Sequence, residues 1–269
     1  MTEVSVVIPW CNRAEIARSL PANAEWLRKA QPEVIIVSSA CDPGSLREAL
    51  TNCGYSRVRL LHIEGVEHFN KPECLNIGAF FSRGHFVFTL DADIILTGDF
   101  TEAALKAIAG FQRYATVKEV FELDRGVQMH SSDPHGAVVK RTNITRVAHE
   151  NGRTACLEYS VDKYGTRTGV GLVLVKKEDF VAIQGLNSNL RGWGYEDTDF
   201  QFRLQLGLGL EGVSLGQAQH VSHPSGKTAA LSHSRNIALA WSNYSRGDLA
   251  GTYKSDVDRL KEKVLEQTM

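Results

Sequence analysis

The first hundred residues alternate between two hydrophobic periods, and this narrows the fold more than any other feature of the chain. Residues 3–9 (EVSVVIP), 33–38 (EVIIVS), 57–63 (RVRLLHI) and 85–90 (HFVFTL) are short apolar runs rich in β-branched and aromatic side chains. Between them, residues 14–31, 43–53 and 71–83 read as helices, the first bent near Pro21 and the second opened by Asp42 as N-cap. Near-continuous apolar strands separated by helices predict an α/β domain, with a mostly parallel central sheet and helices on both faces. Ligands of such sheets bind outside the carboxyl ends of the strands, so the residues after each strand are the first candidates for a site.

Farther along, residues 101–113 read as a helix and 169–176 (GVGLVLVK) as another strand, followed by a short helix over 178–184. Residues 124–168 are polar and weakly periodic, with one strand expected near 155–161; long excursions of this kind on α/β scaffolds are usually lids or binding loops. Residues 235–244 and 255–267 read as helices. The expected organisation is one domain over residues 1–225, with a first half to residue 100 and a second half carrying the long loop, then a helical extension over 226–269.

Composition excludes several classes. With 43% apolar residues the chain is not disordered as a whole. Thirty basic against thirty-one acidic residues give a net charge of −1, so no overall field points to nucleic acid. Five cysteines, widely spaced and without a C-x-x-C, suit reduced, mostly buried thiols rather than a disulfide framework or a zinc site. No basic n-region precedes a long apolar stretch and no run of 18 apolar residues occurs, so neither a signal peptide nor a membrane span is expected, and the reading is cytoplasmic.

Three constellations carry chemistry. Asp91-Ala92-Asp93 follows the fourth apolar strand. Carboxylates at i and i+2 face one side of an extended backbone, as Mg²⁺ or Mn²⁺ beside a phosphate requires; a plain turn is the alternative. Of the two other D-x-D triplets, Asp256/Asp258 reads as a solvated helix face, while Asp197/Asp199 belongs to the second constellation, Gly192 to Asp199 (GWGYEDTD). There two glycines allow close backbone approach and three acids crowd what could be a helix start, whose positive end stabilises their ionised forms. An acid of this kind is either a general base or an ordinary helix-start residue. Phe200, Phe202, Leu204, Leu206, Leu208 and Leu210 then alternate with polar residues or glycine, which on pattern alone is a strand. The third constellation is His220-Val221-Ser222-His223-Pro224; imidazole together with carboxylate suits Mn²⁺ better than Ca²⁺. His130, His135 and His149 receive no role.

Taken together, these segments resemble the inverting family 2 glycosyltransferases of the GT-A fold. VSVVIPWCNR (4–13) is similar to their opening strand and P-x-x-N-R-like turn. FNKPECLNIGA (69–79) is similar to the segment in which an Asn-x-Gly precedes the metal-binding strand, and HFVFTLDADIIL (85–96) to that strand. Residues 169–204, with W-G-x-E-D-x-D-F and R-L, resemble the C-terminal part of β-1,4-galactosyltransferases and polypeptide N-acetylgalactosaminyltransferases; the H-x-x-H-P at 220–224 resembles the motif that often follows.

The resemblance implies a metal-dependent transferase acting on a nucleotide-sugar donor, a UDP-sugar first, and on a glycan, peptide or small-molecule acceptor. It implies Mn²⁺ or Mg²⁺ on Asp93, with His220 the third ligand and His223 the fallback. Donor contacts would come from Pro9, Asn12, Arg13, Asp42, Lys71, Asn76, Asp91, Ala92, Asp93 and Trp193. Asp197 would be the general base, Glu196 would hold sugar hydroxyls, and residues 200–208 would be a helix. The family usually has an aspartate directly after the second strand, where this chain has Ser38 and Ser39; the nearest acid is Asp42. Two other functions compete. A sugar-nucleotide nucleotidyltransferase needs a Gly-rich basic loop after the first strand, which residues 10–13 lack. A non-catalytic sugar- or nucleotide-binding module predicts loss of carboxylates that are all present.

Overall fold

The computed structural model describes residues 3–124, 139–223 and 229–267. Its elements in chain order are β1 (Val4–Trp10), α1 (Ile16–Ala22), α2 (Ala24–Ala30), β2 (Glu33–Ser39), α3 (Leu46–Cys53), β3 (Val58–Ile63), α4 (Lys71–Phe81), β4 (Phe86–Thr89), β5 (Ile94–Thr97), α5 (Phe100–Ile108) and β6 (Arg113–Glu122). Then come β7 (Lys140–Ala148), β8 (Thr154–Asp162), β9 (Arg167–Lys176), α6 (Lys177–Ala182), α7 (Glu196–Leu208), β10 (Glu211–His220), α8 (Ala229–Ser245), α9 (Tyr253–Leu260) and β11 (Val264–Gln267).

Strand order in the central sheet is β11-β3-β2-β1-β4-β9-β6-β10-β5. The expected parallel ladders build β3-β2-β1-β4. The second half is mixed: β9 runs antiparallel to both β4 and β6, β10 parallel to β6, and β5 antiparallel to β10. Alternate residues of the apolar strands feed opposite faces. Val6, Ile8, Val34 and Ile36 pack with α1, α2, α3 and α5, whereas Val7, Ile35 and Val37 pack with α4, α6, α7 and α9. Burial on both faces is why these strands read as unbroken apolar runs. Gly78 lets α4 lie close on β1, since a Cβ there would stand 2.2 Å from a Val7 methyl.

Between β4 and β5 the chain crosses the sheet. Leu90 to Asp93 carries it from the central strand β4 to the edge strand β5, past the ends of β6 and β10, where Glu122 and His220 are register partners. Asn23, at the break between α1 and α2, fixes this crossing: its amide donates to Ile94 O at 2.8 Å and accepts from Leu96 N at 2.9 Å. The break lies two residues beyond Pro21, close to the expected bend.

Several expectations change. β6 and β7 were not legible, and β7 pairs with β8 as a hairpin that joins the sheet through β9. The C-terminal segment is not helical throughout: after α9 the chain extends as β11 and pairs with β3, completing a sheet edge. Asp256 is no solvated residue. It is buried in the first turn of α9 and accepts from Asn76 Nδ2 at 2.8 Å, Ser188 Oγ at 2.9 Å and Thr252 Oγ1 at 2.8 Å. All five cysteines are free, with Cys53 and Cys74 buried, Cys11 and Cys41 half-buried and Cys156 exposed. Among the described residues no helix is long and apolar enough to cross a membrane.

Candidate active site

Two adjoining groups of side chains occupy the carboxyl ends of the strands. The first centres on Asp93. Its Oδ2 lies 3.1 Å from His223 Nε2 and 3.5 Å from His220 Nε2, and ligand atoms of the three residues fall within 4.8 Å of one another. The backbone sets this geometry, because Val221 N donates to Asp93 O at 2.8 Å and so ties the end of β10 to the turn. Burial alone would raise the Asp93 carboxyl; hydrogen bonds to His220 and then His223 outweigh it and hold the group well below the usual carboxylate range. Burial disfavours the charged His220 ring, but the hydrogen bonds to Asp93 and Glu122 raise its pKa to about 9. One carboxylate and two imidazoles form a donor set of the kind that can hold a divalent cation.

The second group centres on Lys71, the first residue of α4. Asn70 caps that helix by accepting from Glu73 N at 3.3 Å, and its own amide donates to Ser188 O at 2.8 Å. Lys71 Nζ lies 2.8 Å from Asp91 Oδ1 and 3.0 Å from Asp197 Oδ2. Burial pulls the ammonium down, but Asp197, Asp91 and Glu196 together hold it well above the ordinary lysine value. Asp91 is pushed up by burial and by the charges of Asp197 and Asp93, with Lys71 opposing. Glu196, buried at 6% exposure, is raised to about 7 by burial and then by Asp197, and its Oε2 has no hydrogen-bond partner among the described residues. Gly171 of β9 lies against these acids: a Cβ there would stand 2.6 Å from Asp197 Oδ2 and 3.3 Å from Asp91 Oδ2.

Asp199, one turn into α7, is structural. Its two oxygens accept from Arg203 Nε at 2.8 Å and Tyr244 Oη at 2.7 Å. The loop before α7 reaches Glu196 through Gly192, Gly194 and Tyr195, all in the left-handed region at φ 82°, 98° and 75°. It is held on α8 by Ser232, which accepts from Trp193 N at 3.1 Å and donates to Trp193 O at 2.9 Å, and by Asn236 Nδ2, which donates to Gly194 O at 2.9 Å. The Trp193 ring projects at 63% exposure beside His233.

The structure thus brings together Lys71, Asp91, Asp93, Glu196, Asp197, His220 and His223. Arg13 joins them, its Nη1 3.1 Å from each ring nitrogen of His223. Pro9 is buried one residue before the end of β1, and Ala92 is buried with its carbonyl accepting from Ser19 Oγ at 2.5 Å. Asn12 is exposed in a left-handed turn at φ 50°, and Asp42 caps the next turn by accepting from Gly44 N at 2.8 Å. Asn76 is not brought to the site. It is fully buried, donating to Leu186 O at 2.9 Å and to Asp256 and accepting from Leu186 N at 2.9 Å, which leaves nothing for a ligand. His130, His135 and Pro224 lie outside the described residues.

Sequence reasoning missed Glu122, Arg167 and Gly171. Glu122 Oε2 accepts from His220 Nδ1 at 2.8 Å and from Ser222 Oγ at 2.7 Å, and its other oxygen pairs with Arg167. Only the pairing of β6 with β10 places Glu122 there, and β6 had no readable period.

A family model described as the N-terminal domain of galactosyltransferase matches residues 153–224, the stretch from β8 through His220 and His223. No curated protein matches the sequence. Among solved structures, S. aureus TarS 1–349 is similar at TM-score 0.50 and 14% identity, covering 82% of this chain and 59% of that one. The same protein in complex with UDP-GlcNAc gives TM-score 0.55 at 14% identity, with 85% and 61% covered. The mannosyltransferase PcManGT from Pyrobaculum calidifontis, in complex with GDP-Man and Mn²⁺, gives TM-score 0.56 at 17% identity, with 91% and 64% covered. The chain therefore spans about three fifths of the length of the structures it resembles. Its fold is that of the GT-A glycosyltransferases it resembles, and residues 153–224 match the model of the galactosyltransferase N-terminal domain.

Proposed function

We propose that the protein transfers a sugar from a nucleotide-sugar donor, a UDP-sugar first, to an acceptor hydroxyl with inversion at the anomeric carbon. One observation carries this reading. Three side chains able to ligate a cation, Asp93, His220 and His223, converge two residues along the same turn from an acid, Asp91, that shares Lys71 with Asp197. Asp93 and His220 would hold Mn²⁺ or Mg²⁺, with His223 as a further ligand. When bound, the cation neutralises the charge that develops on the departing diphosphate.

The rest falls to the chain's own groups. Asp91 and Lys71 face the donor, as carboxylate and ammonium able to bond sugar and phosphate oxygens. Asp197 accepts the acceptor's hydroxyl proton as the new bond to the anomeric carbon forms, so its intrinsic basicity need not be high. Glu196 binds sugar hydroxyls; its unpartnered buried oxygen is an acceptor waiting for one. Trp193 offers an exposed aromatic face on which an acceptor sugar can stack.

A thermal-shift panel of nucleotide sugars, each with Mn²⁺ and with excess chelator, tests this reading. A ligand at about 100 times its Kd adds about 2.7 kcal/mol, or roughly 5–10 °C for a chain of this size. The expected result is a shift with one or two donors that vanishes in chelator. Shifts that ignore chelator, or none with any donor, would overturn it.

A further inference from the structure

We infer that Glu122 is a positioning residue for His220, turning the Nε2 edge of that imidazole toward Asp93 for metal ligation. The inference rests on the proposed metal-ligating role of Asp93 and His220 but adds a residue that the motifs do not contain. Glu122 and His220 are the final residues of two paired parallel strands and are register partners. Neighbouring side chains on one face of such a ladder meet directly. Glu122 Oε2 takes the Nδ1 edge of the ring at 2.8 Å, which leaves Nε2 as the edge facing Asp93.

The carboxylate is itself held by two further partners. Ser222 Oγ donates to the same Oε2 at 2.7 Å, Arg167 pairs with Oε1, and the side chain is only 3% exposed. A buried, doubly bonded carboxylate cannot swing away, so the ring it holds cannot turn its Nδ1 edge to the cation. Imidazole ligands in metal sites ordinarily have such a partner on the other nitrogen, and losing it weakens metal affinity about 10–100-fold. The His223 ring lies between Asp93 Oδ2 and the Arg13 guanidinium. Glu122 thus makes His220 a firmly oriented imidazole.

The test is Mn²⁺ affinity, measured by titration calorimetry on the full chain with nucleoside diphosphate present. In Glu122→Gln we expect Kd to rise about 10–100-fold, with Glu122→Asp recovering part of the loss. In a His220→Ala background the Glu122→Gln change should have no further effect on Kd, an outcome that a merely structural role for Glu122 would not give. Should Glu122→Gln fail to fold, Ser222→Ala removes one of the donors that hold the same oxygen and should raise Kd a few-fold. Wild-type affinity in both Glu122→Gln and Ser222→Ala, or an equal loss with and without His220, overturns the inference while leaving the metal site standing. Failure of the wild-type chain to bind Mn²⁺ at all overturns the metal site and this inference together.

Discussion

Replacing Lys71 by methionine keeps most of the aliphatic stem and deletes the charge that Asp91 and Asp197 share. Removing one partner of a fully buried ion pair costs about 3–5 kcal/mol, because the other charge is left without compensation. Here the side chain of Lys71 is 15% exposed and those of Asp91 and Asp197 are 35% and 21% exposed, so water recovers part of the loss. The expected cost near pH 7.5 is about 2–3 kcal/mol.

The loss should depend on pH, with a definite sign. Lys71 has a folded-state pKa above its unfolded one, so its contribution is complete at neutral pH and fades only as pH rises beyond the ordinary lysine value. In its absence the neighbouring acids, which it holds down, rise further; Glu196 already stands at about 7 and Asp91 is already raised. A carboxylate raised in the folded state costs stability in full above its folded pKa, and that cost shrinks as pH falls through the folded pKa and is gone below the unfolded one. Urea unfolding of wild type and Lys71→Met at pH 7.5 and 5.5 should therefore show the gap at least halving at the lower pH. A gap below about 0.5 kcal/mol at both would mean that Lys71 contributes only its stem to packing, and a larger gap that does not change with pH would mean that the neighbouring acids do not respond to its loss.

Three further substitutions separate chemistry from scaffold. Asp197→Asn should lower turnover about 10²–10⁴-fold with little change in donor affinity, read from steady-state kinetics beside a donor titration. Gly171→Ala places a methyl 2.6 Å from Asp197 Oδ2, so the acid must move by the better part of an ångström; kcat should fall about 10²-fold while Tm changes by only a few degrees. Arg203→Met leaves the buried Asp199, at 1% exposure, without its ion partner and should cost about 3–5 kcal/mol in urea unfolding, with donor affinity of the folded chain unchanged.

What the sequence could and could not convey follows from where each residue's partners lie. Asp91 and Asp93 were legible because a local rule, the carboxyl end of a buried strand, places them. α7 was not, and the reason is instructive. Its polar residues are as buried as its apolar ones: Gln201 donates to Val170 O at 2.7 Å, Gln205 to Tyr114 Oη at 2.8 Å, and Arg203 pairs with Asp199. A helix buried on nearly all sides has no solvent face, so its polar positions counterfeit a strand's alternation, and only the family resemblance corrected the reading. Asn76 failed in the opposite way. Its motif was right, but the side chain serves the joint between α4, the loop at Leu186 and α9. Glu122 depends on a partner 98 residues away, which no local period reports.

Inverting transfer from a nucleotide-sugar donor can be tested without knowing the acceptor. Proton NMR can follow slow hydrolysis of an α-linked donor by the Mn²⁺-loaded protein, with water in place of the acceptor, before the released sugar mutarotates. The first sugar formed should be the β-anomer, and its formation should stop in Asp197→Asn and in excess chelator. Release of the α-anomer first would contradict the inverting mechanism, and undiminished release from Asp197→Asn would contradict its base.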